Sequence, residues 1–89
     1  MSKNNLNFLR PCVVGLGYVG LPILLRLQKK YDVLGYDINK NRIRNLINAK
    51  DDFNEINRKK LHVLKNLLTN KILDLKSRNL YIITVHTPI

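Results

Sequence analysis

Three of the chain's four glycines lie close together, in the run Gly15-Leu16-Gly17-Tyr18-Val19-Gly20. The apolar residues Cys12-Val13-Val14 precede this run, and a segment with helical spacing of apolar residues follows it. A second apolar run, Tyr31 to Tyr36, comes next and ends at Asp37. Glycine has no Cβ and adopts positive φ easily, so the run can form a tight turn. The pattern predicts a strand, a glycine turn, a helix and a second strand, which is the βαβ unit of a parallel α/β fold.

The spacing of the glycines and the acid indicates the kind of ligand that the unit binds. A G-x-G-x-x-G run that opens a helix, with an acid about 20 residues later, is typical of dinucleotide-binding units. Gly15 permits the tight turn, Gly17 lets the backbone approach a pyrophosphate, and Gly20 lets the helix pack closely. The helix N-terminus offers free N–H groups to the phosphates. A carboxylate after the second strand accepts from the ribose hydroxyls and repels a 2′-phosphate, so Asp37 favours NAD over NADP.

Three longer segments are more specific than the glycine pattern. They are Val14–Pro22, Tyr31–Asn39 and Tyr81–Ile89. In these segments the chain resembles the NAD-dependent nucleotide-sugar dehydrogenases, especially the branch that acts on UDP-N-acetylhexosamines such as UDP-N-acetylmannosamine. The resemblance runs from about Pro11 and includes the loop at 48–55. Such enzymes oxidise the sugar C6 alcohol to a carboxylate in two steps with two NAD, in the synthesis of polysaccharide precursors.

The resemblance implies which residues would contact NAD. The glycine turn would hold the pyrophosphate, through Gly15, Leu16, Gly17, Tyr18, Val19 and Gly20. Asp37 would hold the adenine ribose, and Arg42 matches a basic residue near the adenosine end. Val85 and Thr87 match the end of a strand that runs under the cofactor.

The chain also departs from the family. Members run to several hundred residues, whereas this sequence has 89. The family's catalytic cysteine, lysine, asparagine and acid fall beyond its last residue, so we expect no catalytic residue in this chain. His86 stands where the related branch usually has proline, and Pro11 stands where an apolar residue normally opens the first strand. Ala49 and Phe53 replace a usual glycine and threonine.

The length and composition bound the organisation of the chain. A chain of 89 residues forms one small domain. We expect a polar arm at 1–9 and a partial NAD-binding Rossmann domain at 10–89, without the catalytic and UDP-binding domains. One cysteine excludes an internal disulfide framework. The sequence shows no signal peptide and no apolar run of ~18 residues, which predicts a cytoplasmic location and no membrane contact.

The net charge of +10 raises a nucleic-acid-binding module as an alternative function. However, the basic residues are scattered, and their densest cluster is Arg58-Lys59-Lys60. Aromatic residues do not alternate with them, as a stacking surface would require. The chain is also rich in asparagine and lysine throughout, which is typical of a compositional bias. We therefore expect no specific nucleic-acid site, only salt-sensitive attraction to polyanions.

Apolar periodicity and turn residues predict the elements of the fold. Strands are expected at 11–14, 32–36, 66–69 and 80–85, and helices at 18–30, after Asp37 and at 57–66. Asn39 is the expected N-cap of the second helix. Right-handed crossovers then give a truncated Rossmann-type parallel sheet of order 3-2-1-4, with helices mainly on one face. The other face would lack cover, so we expect the isolated chain to be marginally stable and to self-associate.

The other reactive side chains do not form a catalytic or metal site. Cys12 lies within the first strand and is expected to be buried and unreactive. His62 has no partner at ligand spacing. For His86, at a strand end beside the cofactor, a neutral substitution is favoured over proton transfer. One cysteine and two distant histidines cannot supply a set of metal ligands. The loop acids are interpreted as solvated: Asp51, Asp52 and Glu55.

Three functions follow from this reasoning. The first is the NAD-binding N-terminal piece of a UDP-sugar 6-dehydrogenase. The second is a non-catalytic remnant, or a subunit of a split enzyme, that binds NAD or a separate chain carrying the missing domains. The third, which the scattered charge disfavours, is a basic nucleic-acid-binding module.

Overall fold

The computed structural model describes residues 8–51 and 56–84. These residues form one parallel sheet with helical connections. The strands are β1 (Pro11–Val14), β2 (Leu34–Tyr36), β3 (Leu68–Thr69) and β4 (Leu80–Ile83). The helices are α1 (Gly20–Leu27), α2 (Lys40–Ile47) and α3 (Arg58–His62), with a 3-10 helix at Ile72–Ser77.

The sheet has the order β3-β2-β1-β4, which confirms the predicted topology. In the central strand, Val13 pairs with Gly35 of β2 on one side and with Ile82 of β4 on the other. Parallel neighbours cannot be joined by a tight hairpin, so each connection must cross over the sheet. Helix α1 makes the crossover from β1 to β2, and α2 and α3 lie in the crossover from β2 to β3.

The hydrophobic core lies between the sheet and the three α-helices. Val13 of β1 shares one buried cluster with side chains from each of these helices, among them Leu24, Leu46 and Leu61, all fully buried. Leu24 fits against Gly35, where the absence of a side chain leaves it room. The α-helices therefore cover one face of the sheet, as predicted.

Two apolar residues in or beside the helices are not buried. Val19 is 51% exposed, because it is the N-cap of α1 and still belongs to the glycine turn. Ile47 is 37% exposed at the last position of α2. The helix ends also differ from the prediction. Helix α1 stops at Leu27, and α3 covers only five residues after its N-cap, Asn57, whose Oδ1 accepts from the Lys60 N–H at 3.0 Å.

The opposite face of the sheet is partly covered, which corrects the expectation that it is bare. Cys12 points to this face and is fully buried. The 3-10 helix lies on this side, and the Tyr81 hydroxyl donates to the carbonyl oxygen of Leu75 at 2.6 Å. Apolar side chains remain exposed on β4, where Tyr81 is 45% and Ile83 is 69% exposed, and in the 3-10 helix, at Ile72 and Leu73.

Two further points concern the ends of the chain and the helix lengths. The predicted polar arm at 1–9 and the predicted end of β4 at Val85 fall largely outside the described residues. Among the helices in 8–51 and 56–84, none has the length and apolar character needed to cross a bilayer.

Candidate functional site

The turn between β1 and α1 begins with a residue that must be glycine. Gly15 has φ +97°, a conformation that residues with a Cβ rarely adopt. Its N–H donates to the carbonyl oxygen of Tyr36 at 2.8 Å, which fixes the turn to the end of β2. A Cβ at this position would lie 2.5 Å from the carbonyl oxygen of Thr84. Backbone conformation and close packing therefore both require glycine here.

The other two glycines of the turn differ from each other. A Cβ on Gly20 would lie 1.8 Å from the Gly15 carbonyl oxygen and 2.9 Å from the Thr84 Oγ1. Gly20 is therefore needed for close packing between the start of α1 and the turn. A Cβ on Gly17 would meet no described protein atom within 4 Å. The surrounding protein does not explain the glycine at 17, so its outer side is open for a ligand to approach the backbone.

The N-terminus of α1 faces the same open side. Its N-cap, Val19, makes no side-chain capping hydrogen bond, and the first turn of α1 contains no acidic residue. The first N–H groups of a helix have no intrahelical acceptor and carry a partial positive charge. Tyr18 and Val19 are about half exposed, at 47% and 51%, so the turn reaches the surface. This end of α1 can receive an anion.

Asp37 directly follows β2 and is hydrogen-bonded to the glycine turn. Its Oδ2 accepts from the backbone N–H of Leu16 at 2.9 Å, and its Oδ1 accepts from the Asn39 N–H at 2.9 Å. Each carboxylate oxygen has two acceptor positions, so these bonds leave capacity for further donors. The structure thus brings the predicted acid and the predicted turn together in one place.

Arg42 lies under the turn. It is 5% exposed, and its Nε donates to the carbonyl oxygen of Leu16 at 2.8 Å. Its Nη1 forms an ion pair with the Asp51 Oδ1 at 2.9 Å, and the Asp51 Oδ2 accepts from the Ile56 N–H at 3.1 Å. The interpretation of Asp51 as a solvated loop acid was wrong. A buried guanidinium needs a counter-charge, and Asp51, which is 8% exposed, supplies it. Asp52, Phe53 and Glu55 lie outside the described residues.

Sequence reasoning missed Thr84. Its hydroxyl donates to the Gly15 carbonyl oxygen at 2.7 Å and lies 3.3 Å from the Val14 carbonyl oxygen. Its N–H donates to the same Val14 oxygen at 2.9 Å. Thr84 could have been found from two features of the sequence. It is a polar residue at the carboxyl end of an apolar strand, and the predicted strand order places that strand beside β1. Val85, His86 and Thr87, which follow Thr84, lie outside the described residues.

The remaining reactive residues lie apart from the turn. Cys12 is fully buried, as predicted. Burial raises the pKa of its thiol, while the charge of Arg78 acts in the opposite direction. His62 is on the exposed side of α3. Among the described residues no three histidines, cysteines or acids come together in a way that could hold a metal ion.

These features define a class of protein. A parallel sheet whose first strand passes through a glycine turn into a helix, with an acid after the second strand, is a Rossmann-type dinucleotide-binding fold. Residues 9–89 match the family model of the UDP-glucose/GDP-mannose dehydrogenase family, NAD binding domain. The chain belongs to this family, as the sequence resemblance indicated.

The relatives support the same branch of the family. The chain is 46% identical over 77 residues to protein CapL of Staphylococcus aureus, covering 86% of this chain and 18% of CapL. It is 43% identical over 82 residues to the UDP-N-acetyl-D-glucosamine 6-dehydrogenase of Pseudomonas aeruginosa, covering 91% of this chain and 19% of that enzyme. The structure of UDP-D-ManNAc dehydrogenase from Pyrococcus horikoshii superimposes with a TM-score of 0.75 at 37% identity, covering 91% of this chain and 21% of that one. The chain thus spans about a fifth of the length of these relatives.

Proposed function

We propose that this chain binds NAD on the glycine turn, as the cofactor-binding part of a UDP-sugar 6-dehydrogenase. The pyrophosphate would lie over Gly15 to Gly20, against the N-terminus of α1. The adenine ribose would lie at Asp37, and Arg42 would support the adenosine end from beneath the turn, where it is buried. Val85 and Thr87 would continue the binding surface beyond Thr84. The cofactor-binding domain would extend over residues 10–89.

The open space at Gly17 is the observation that carries this proposal. Protein contacts and backbone conformation account for Gly15 and Gly20. Gly17 has neither constraint from the described protein, and it lies beside a helix N-terminus without a side-chain cap. A pyrophosphate in contact with the backbone would supply the missing reason, because a Cβ there would occupy the ligand's place.

The position of Asp37 supports NAD rather than NADP. Its carboxylate is held beside the turn by the N–H groups of Leu16 and Asn39, so its place is fixed before a ribose arrives. A fixed carboxylate can accept from both ribose hydroxyls, whereas a 2′-phosphate would bring a second negative charge against it.

Bound NAD would supply the hydride acceptor for oxidation of a sugar alcohol. The chain's own contribution would be to bind and orient it. The thiol of Cys12 is buried in β1, on the opposite face of the sheet from the α-helices, and cannot reach a substrate. We propose that the UDP-sugar and the catalytic groups are held by further domains of such an enzyme, on the same or on a separate polypeptide. In the alternative, the chain binds NAD and catalyses no reaction. In either case the protein would be located in the cytoplasm.

Calorimetric titration of the purified chain with NAD and with NADP tests the proposal. We expect NAD to bind and NADP to bind at least tenfold more weakly. A folded chain that binds neither cofactor, or that binds NADP more tightly, would contradict it. Following NADH absorbance with several UDP-sugars separates the two forms of the proposal. We expect no turnover from the chain alone, and turnover only when a polypeptide with the catalytic domains is added.

A further inference from the structure

A closed ring of hydrogen bonds runs through Leu16, Asp37, Asn39 and Arg42. Its N–H donates to the Asp37 Oδ2 at 2.9 Å, and the Asp37 Oδ1 accepts from the Asn39 N–H at 2.9 Å. The Asn39 Oδ1 accepts from the Arg42 N–H at 3.0 Å, and the Arg42 Nε returns to the Leu16 carbonyl oxygen at 2.8 Å. Both backbone groups of Leu16 are therefore fixed by side chains of the segment after β2. Its own side chain is fully buried.

Asp51 is connected to this ring through its ion pair with Arg42. The side chains of Arg42 and Asp51 are only 6% and 2% exposed, and their charged atoms are 2.9 Å apart. The other oxygen of Asp51 accepts from the Ile56 N–H, so the acid is fixed by its own loop as well. A side chain this deeply buried cannot touch a ligand on the outer side of the turn. Its link to the glycine turn runs through Arg42, whose Nε donates to the Leu16 carbonyl oxygen.

We propose that the Asp51–Arg42 pair positions the glycine turn and Asp37 for NAD before the cofactor arrives. This inference rests on the proposed NAD site, and it makes Asp51 a positioning residue that has no contact with the cofactor. A site already in its bound arrangement avoids the cost of ordering the turn during binding. Without the pair, the guanidinium that donates its Nε–H to the buried Leu16 carbonyl would no longer be held in place, and the turn would leave this arrangement.

The replacement of Arg42 by lysine separates positioning from stability. In Arg42→Lys the ammonium can still pair with Asp51 and keep the buried charge neutral. A single ammonium on a flexible stem lacks the fork that reaches the Leu16 carbonyl and Asp51 at once. Asp51→Asn is the second variant, which keeps the shape of the acid and removes its charge. The matched controls are Arg44→Lys, at an exposed arginine of α2, and Asp32→Asn, at an exposed acid.

Two measurements on the full chain are needed. Hydrogen exchange without cofactor measures the exchange rate of the Leu16 N–H. The Gly35 N–H is the internal reference, because it donates to the Leu67 carbonyl oxygen at 2.7 Å within the sheet. Calorimetric titration reports NAD affinity. In Arg42→Lys we expect about tenfold faster exchange at Leu16, unchanged exchange at Gly35, and about tenfold weaker NAD binding. Asp51→Asn should change both in the same direction, and the controls should match the wild type.

The outcomes separate the inference from the proposed function. Wild-type exchange at Leu16 and wild-type NAD affinity in Arg42→Lys would overturn the inference, as would equal acceleration at Leu16 and Gly35, which would indicate general loosening. If the wild-type chain does not bind NAD, the proposed function fails. The exchange rates at Leu16 then still decide whether the pair orders the turn.

Discussion

Gly20 lies against Gly15 so closely that a methyl group on residue 20 would be 1.8 Å from the Gly15 carbonyl oxygen. No rotamer change relieves this contact, because the opposing atom belongs to the backbone. We therefore expect Gly20→Ala to reduce the free energy of unfolding by about 3 kcal/mol or to prevent folding. Urea unfolding followed by circular dichroism measures this. A Gly20→Ala protein as stable as the wild type would show that the turn has another conformation.

Gly17→Ala is the matched comparison, because a Cβ at 17 meets no described protein atom within 4 Å. We expect stability to change by less than about 1 kcal/mol, since the new methyl group displaces nothing. NAD affinity should fall by at least tenfold, because the methyl group takes the place of the pyrophosphate. Unfolding and calorimetric titration on the same preparation measure both. Undiminished NAD binding by Gly17→Ala would remove the main support for the proposed site.

Asp37→Ala should abolish the preference for NAD over NADP. The substitution removes the ribose acceptor and the repulsion of a 2′-phosphate together. It also removes the acceptor of the Leu16 N–H, so NAD affinity itself should fall. Asp37→Asn is the intermediate case, since the amide oxygen still accepts one N–H while the charge is gone. Titration with both cofactors gives the ratio. A preference that persists in Asp37→Ala would place the ribose elsewhere.

The exposed side of β4 should drive self-association of the isolated chain. Ile83 is 69% exposed, and among the described residues β4 pairs only with β1. An open strand edge with apolar side chains is a template for further pairing. We expect Ile83→Lys to shift the chain toward monomer in sedimentation velocity. Ile38→Lys, at a residue that is 81% exposed and away from the sheet edge, is the control. Equal association of both variants and wild type would argue against this surface.

The thiol of Cys12 should be unreactive in the folded chain. Burial raises its pKa above the ordinary value of 9.0, and the charge of Arg78 only partly opposes this. From about pH 9 upward the unfolded chain ionises its thiol while the folded chain keeps the proton, so the free energy of unfolding falls as pH rises. Cys12→Ala should weaken that fall, measured by urea unfolding from about pH 8 to 10. Iodoacetamide should label Cys12 slowly without urea and rapidly in urea. Rapid labelling of the folded chain would contradict its burial.

The strand order and the position of Asp37 beside the turn could be predicted from the sequence. Apolar runs, the glycine spacing and the right-handed crossover together leave one arrangement for β1, β2 and β4. The Asn39 cap was also predictable, because an asparagine before a helical stripe commonly caps it. The Asn39 Oδ1 indeed accepts from the Arg42 N–H at 3.0 Å. These features depend on local patterns and on rules that hold for all parallel sheets.

The roles of Asp51 and Thr84 could not be predicted in the same way. Asp51 stands in a polar loop, and only the three-dimensional path places it beside a buried arginine. The hydrogen bond from the Thr84 hydroxyl to Gly15 forms because Val14 pairs with Ile83 in the sheet. The sequence pattern predicts the order of the strands but not their register. The exposure of Val19 could not be predicted for a related reason. Helix periodicity does not show where the turn ends and the helix begins.

The contact between Thr84 and Gly15 joins residues 69 positions apart. The turn therefore cannot take its final shape until β4 has paired with β1, which closes a loop of nearly the whole described chain. Contacts of such long sequence separation form late and slow the folding of a small domain. During synthesis, a chain that has emerged only as far as β3 already contains every glycine of the turn and Asp37, yet it lacks the hydroxyl that fixes Gly15. Competence to bind a ligand at this turn would thus begin only when Thr84 has reached its place beside Gly15.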